Sequence, residues 1–101
     1  HKKIDYFKKR NYKIIGIGAA AKANTFLCYF GLDNKIIDFI TDASKFKIGK
    51  LTPKTRIPIY ADEKLKKINI KIVAIILSWN ISSILKKKLK KLNKNLEFID
   101  L

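Results

Sequence analysis

The 101-residue chain has a single cysteine, Cys28, and a single histidine, His1. An intramolecular disulfide is therefore impossible, and a Cys/His zinc site has too few ligands. This cysteine usage fits a reducing, cytoplasmic setting. Two prolines and four glycines are too few for a Pro-rich or Gly-rich linker. No apolar run approaches the ~18 residues of a membrane helix; the longest spans residues 72–77. The start, His1-Lys2-Lys3-Ile4, lacks the apolar stretch of a secretory leader. It also lacks an initiating methionine, so the chain is expected to be a fragment of a longer protein.

Acidic residues are scarce as well. Eight Asp and Glu face 23 Lys and Arg, for a net charge of +15. Such a charge admits a polyanionic partner, whether nucleic acid, an anionic membrane or a phosphorylated ligand. It also admits a compositional origin, since Lys, Ile and Asn dominate the chain as AT-rich codons would favour. Only Arg10 and Arg56 are arginines, and arginine is the usual bidentate clamp for phosphate and guanine. Aromatics are not interleaved with the lysines as a nucleic-acid stacking platform requires. A nucleic-acid partner and a membrane are both disfavoured on these grounds. There is no Ser/His/Asp set, no carboxylate pair at useful spacing and no metal cluster. Whether the chain belongs to an enzyme stays open, and no catalytic or metal residue is assigned.

What is present is apolar periodicity. Hydrophobic residues make up 48% of the chain, enough for the core of a single domain over 1–101. Residues 2–10 read as a short entry helix. Lys13-Ile14-Ile15-Gly16-Ile17-Gly18 reads as a buried strand entering a glycine turn. Residues 19–30 follow with helical spacing, Ala19, Ala23, Phe26, Leu27 and Phe30 on one face, Cys28 in the core and Gly31 as terminator. Residues 36–41 are rich in β-formers, residues 42–56 form a polar loop, and 57–60 form an edge strand marked by Pro58. A short helix over 61–68 carries Asp62 and Glu63 in its first turn, where they suit the dipole. Residues 72–77 are apolar toward both faces, the mark of a covered parallel strand. A helix then places Ile81, Ile84, Leu85, Leu89 and Leu92 on one side and lysines on the other. Residues 96–101 close as a last strand. This alternation predicts an α/β, Rossmann-like open parallel sheet of about five strands, order 3-2-1-4-5, with helices on both faces.

In such a sheet ligands bind beyond the carboxyl ends of the strands, where strand order reverses. Three segments should meet there. Gly16 and Gly18 match the first two glycines of a dinucleotide fingerprint, with Ala21 in third place. The loop enters a helix N-terminus that attracts anions, and Lys22 adds charge; alternatively it is a tight turn without ligand. Asp42, 24 residues after Gly18, stands where an acid would bind a ribose hydroxyl, or it caps its loop. Trp79 either stacks on a base or sugar or covers the core rim; Asn80 is equally read as an N-cap. The run Lys86-Lys87-Lys88 with Lys90, Lys91 and Lys94 is either a solvated face or a surface for an acidic partner. A free-standing nucleotide or dinucleotide-binding module would explain the glycine turn and Asp42.

Four ordered blocks resemble a known family. Gly16-Ile17-Gly18-Ala19-Ala20-Ala21-Lys22-Ala23-Asn24-Thr25 is similar to G-[YF]-G-A-x-x-K-G-N-T. Asp42-Ala43-Ser44-Lys45-Phe46-Lys47-Ile48-Gly49-Lys50 is similar to D-x-[NS]-x-x-K-x-G-[KR]. Pro53-Lys54-Thr55-Arg56-Ile57-Pro58-Ile59 is similar to P-G-T-x-I-P-I, and Ser78-Trp79-Asn80 to P-W-N. The departures are Ile17 for an aromatic, Ala23 and Lys54 for glycines, and Ser78 for proline. Together the blocks resemble the C-terminal domain of S-adenosylmethionine-dependent C-methyltransferases acting on nucleotide-linked deoxysugars. The resemblance implies that zinc-binding and methyl-transfer domains lie upstream in the same chain. It implies that S-adenosylmethionine and the catalytic base belong to the central domain, so no cofactor is expected in this segment. It also implies a nucleotide-sugar ligand at Gly16, Gly18, Lys22, Asn24, Thr25, Asp42, Trp79 and Asn80.

Overall fold

Ile14, Ile15 and Ile17 leave neither side of their segment polar, so a strand here needs a cover on both faces. In the computed structural model, which describes residues 2–18, 23–42, 45–77 and 83–99, this segment is β1 (Lys13–Ile17), the middle strand of a five-stranded sheet. Along the chain come α1 (Lys2–Lys9), β1, α2 (Ala23–Tyr29), β2 (Ile40–Thr41), β3 (Ile59–Tyr60), a 3-10 helix (Asp62–Lys67), β4 (Ile72–Ile76), α3 (Ser83–Leu92) and β5 (Leu96–Ile99). The sheet order is β3-β2-β1-β4-β5 and every pair of strands is parallel. Both are as the alternation predicts.

Alternate residues of each strand face opposite covers. Ile14, Ile40, Val73 and Ile75 pack with Ile4 of α1 and Leu27 of α2. Ile15, Ile17, Ile72, Ala74 and Leu96 pack with Leu65 of the 3-10 helix and Leu89 of α3. Each fully buried Ile or Leu contributes about 2 kcal/mol. The partly exposed ion pair Lys13 Nζ–Asp38 Oδ2, at 3.3 Å, contributes about 0–1 kcal/mol. Apolar burial therefore decides the architecture.

Polar groups stitch the layers. Asn93, buried after α3, donates from Nδ2 to the Leu65 and Ile68 carbonyls at 2.8 and 2.9 Å. Its Oδ1 accepts from the Asn95 amide. The end of the 3-10 helix is thereby tied to the turn before β5. The outer edge of β3 is covered by its own preceding loop: Ile59 N donates to Lys50 O, and Leu51 bridges Pro58 in antiparallel sense. A blocked edge does not template further pairing.

Several expectations are corrected. β2 is Ile40–Thr41, not residues 36–41, because Asp33 closes a turn on the Ile36 and Ile37 amides. The segment still runs beside β1, with Asp38 N donating to Ile14 O and Gly16 N to Phe39 O. The edge strand shortens to Ile59–Tyr60, and the short helix over 61–68 is a 3-10 helix. Cys28 is exposed, not core; it follows Leu27, and Leu27 takes the inward position. Ile84 is 78% exposed. It lies five residues, or about 140°, from the inward Leu89 and shares the lysine face. Ala19 and Ile81 fall outside the described residues.

Two consequences can be measured. A Cβ on Gly16 would lie 2.7 Å from Leu77 Cδ1 and 3.1 Å from Ile40 Cγ1, so Gly16→Ala should destabilise the chain by about 1–2 kcal/mol in chemical denaturation. Lys54 has φ 62°, a left-handed conformation costing an L-residue about 1–2 kcal/mol. The resembled pattern has glycine there. Lys54→Gly should therefore stabilise by up to about 1 kcal/mol, after the added unfolded-state entropy of glycine is subtracted.

Candidate functional site

Because all strands run the same way, β1, β2, β3 and β4 deliver their carboxyl ends to one edge. The ladder continues one residue past β1, β2 and β4 there. Gly18 N donates to Thr41 O at 3.0 Å, Asp42 N to Tyr60 O at 3.0 Å, and Leu77 N to Ile17 O at 3.1 Å. The reversal of strand order lies between β1 and β4, where an open α/β sheet leaves a crevice.

The site expected from sequence maps onto this edge as follows. Gly16 lies within β1, its missing side chain making room for Leu77 and Ile40. Gly18 has φ 85° and turns the chain out of the strand. The amides of both glycines are committed within the sheet, to Phe39 O and Thr41 O. Asp42 is half-buried immediately after β2. Asn24 and Thr25 lie in the first turn of α2, and Thr25 is exposed. Lys22, Trp79 and Asn80 lie outside the described residues. The structure thus brings Gly18 and Asp42 to one edge through the Gly18–Thr41 hydrogen bond.

Asp62 joins this edge without a site role from the sequence, and Thr41, expected there only as part of the Thr41-Asp42 segment, joins it with a polar side chain of its own. Ile40 faces α1 and α2, so Thr41 faces the opposite cover, where the 3-10 helix begins at Asp62. The Thr41 hydroxyl is fully buried and has no hydrogen bond of regular geometry. Thr41 pairs with Tyr60, two residues before Asp62, and Asp62 is itself only 8% exposed. Desolvation raises the Asp62 pKa above its ordinary value; Glu63 and Asp42 push the same way, while the Thr41 hydroxyl and Lys88 of α3 lower it. The available signal was position, a carboxylate two residues past a strand end on the ligand-binding side of the sheet. What hid it was the alternative role of an acid in a first helical turn.

Elsewhere, the Tyr12 pKa is raised mainly by its hydrogen bond to Glu97. Both residues are remote from the edge. Among the described residues no group of His, Cys, Asp and Glu is arranged to hold a metal ion. No helix among them is long and apolar enough to cross a membrane. The described edge therefore offers carboxylates, suited to ligand hydrogen-bond donors.

The Asp62 shift has a signed consequence. A carboxyl whose folded pKa is raised above its unfolded value favours the fold at low pH, and that contribution is lost as pH climbs through the folded pKa. Asp62→Asn should match wild type near about pH 4 and exceed its thermal midpoint near about pH 7. A gap independent of pH would show that the carboxyl ionises as freely as in the unfolded chain.

No curated protein matches the chain. Residues 1–99 match the C-methyltransferase C-terminal domain family, which agrees with the four sequence blocks and with a parallel sheet whose carboxyl edge brings Gly18 and Asp42 together. The chain belongs to the C-methyltransferase C-terminal domain family.

Proposed function

We propose that this chain is the substrate-side domain of an S-adenosylmethionine-dependent C-methyltransferase acting on nucleotide-linked sugars. The observation that carries the reading is the meeting of Gly18, Thr41 and Asp42 at the carboxyl edge of the sheet, in a chain that belongs to a C-methyltransferase domain family. The edge provides a turn without a side chain at Gly18, so a ligand backbone can approach closely. Asp42 supplies an acceptor for ligand hydroxyls. Lys22, Asn24, Thr25, Trp79 and Asn80 complete the proposed site from the two neighbouring segments.

S-adenosylmethionine supplies the methyl group in this reading and is held by a central domain of the same protein, beyond a zinc-binding domain. Within this chain the committed glycine amides leave Gly16 and Gly18 no N–H to offer a cofactor. The role of these residues is to orient the sugar nucleotide and to exclude water when the domains close. The segment is non-catalytic alone and works in the cytoplasm.

Calorimetric titration of the chain with dTDP-glucose, UDP-glucose, S-adenosylmethionine and NAD tests this. A sugar nucleotide should bind with a dissociation constant below about 1 mM, and S-adenosylmethionine should not. Tighter binding of NAD would favour a dinucleotide module, and failure of both sugar nucleotides would remove the reading.

A further inference from the structure

We propose that Asp62 and Thr41 form a second recognition element at this edge: Asp62 accepts a hydrogen bond from a hydroxyl of the ligand's sugar, and Thr41 is a positioning residue for that carboxylate. The inference rests on the nucleotide-sugar reading above and adds residues that lie outside the four sequence blocks or without a role in them.

Charge distribution is the first support. Of only eight acidic residues in a chain of net charge +15, three interact at this corner: Asp42, Asp62 and Glu63. The surface elsewhere is rich in lysine, yet among the described residues Asp62 makes no ion pair, and Lys88 acts on it only through space. The Asp62 carboxylate is thus not neutralised by a direct cation contact among the described residues.

The second support is independent of charge. Thr41 is 1% exposed and its hydroxyl lacks a hydrogen-bond partner. A buried, unpaired hydroxyl weakens a fold, and valine fills nearly the same volume without that penalty. Thr41 pairs with Tyr60 and faces the cover where the 3-10 helix begins at Asp62. Its chemistry makes sense if it steadies the carboxylate once a ligand draws Asp62 into a defined position.

The corner also selects what it can accept. Carboxylates repel phosphate, so the diphosphate must lie away from Asp62, toward Gly18. No donor set for a metal ion exists among the described residues. An uncharged, hydroxyl-bearing group is what a carboxylate acceptor suits. The sugar, at the opposite end of the ligand from the base, fits that demand.

The test compares dTDP-glucose with dTDP on the full chain by calorimetry, in wild type, Asp62→Asn, Thr41→Val and Thr41→Ser, with thermal midpoints recorded for each. Wild type should bind dTDP-glucose more tightly than dTDP. Asp62→Asn should weaken dTDP-glucose about tenfold, as expected for a lost charge-assisted hydrogen bond, and leave dTDP within about twofold. Thr41→Val should keep or raise the thermal midpoint yet weaken dTDP-glucose about threefold, and Thr41→Ser should restore binding. If wild type binds both ligands equally, or the variants shift both alike, the nucleotide site stands and this inference falls. If wild type binds neither, the nucleotide-sugar reading itself fails and takes the inference with it.

Discussion

A strand without a polar side needs a cover above and a cover below, and β1 imposes this requirement on the whole chain. Ile14 faces α1 and α2; Ile15 and Ile17 face the 3-10 helix and α3. β4, apolar in the same way, pairs with β1 along its full length. The two strands form the inner pair, and the shorter β2, β3 and β5 extend it outward. The covers then follow from connectivity, since parallel neighbours must be joined by crossovers that lie on the faces. The dominance of lysine on the outside is compatible with this plan, because the only lysine in a described strand is Lys13, at the first position of β1.

The same constraint creates the candidate site. Parallel strands put all their carboxyl ends on one edge, and the reversal of order beside β1 opens the sheet there. Gly16 lets Leu77 and Ile40 close over β1 immediately below that edge. Gly18 then bends the chain away. The glycine pair serves packing first and clearance second. Its amides are bonded to β2 and the segment before it, so any ligand preference at this edge must come from side chains and from the segments that follow.

Polar contacts in the described structure divide into two kinds. Asn93 and the Thr52–Thr55 pair are saturated: the Asn93 amide binds two carbonyls and the Asn95 amide, and Thr52 Oγ1 accepts from Ile57 N beside its bond with Thr55. These hold turns in place. Thr41 and Asp62 are also buried, but the Thr41 hydroxyl remains without a partner. A domain that rests on apolar burial tolerates such a pair only where the stability lost is small against the core, and it is found at the edge where ligands bind in this architecture.

The sequence alone determined the parallel sheet, its order, the two glycine bends and the family, because each rests on local signals. Double-sided Ile runs, a Gly-x-Gly after a strand, Gly31 after a helix and four ordered blocks are all readable in linear order. Tertiary structure decided the rest. Cys28 and Ile84 turned outward because a helix has one inward direction, fixed by Leu27 and Leu89 against the sheet and not by local apolar spacing. β2 shortened because Asp33 captured the amides ahead of it. Thr41 and Asp62, 21 positions apart, became neighbours only when β3 docked beside β2 and set the start of the 3-10 helix over that strand's end. Contacts of that kind depend on which strands lie side by side, and no pattern within either segment records them.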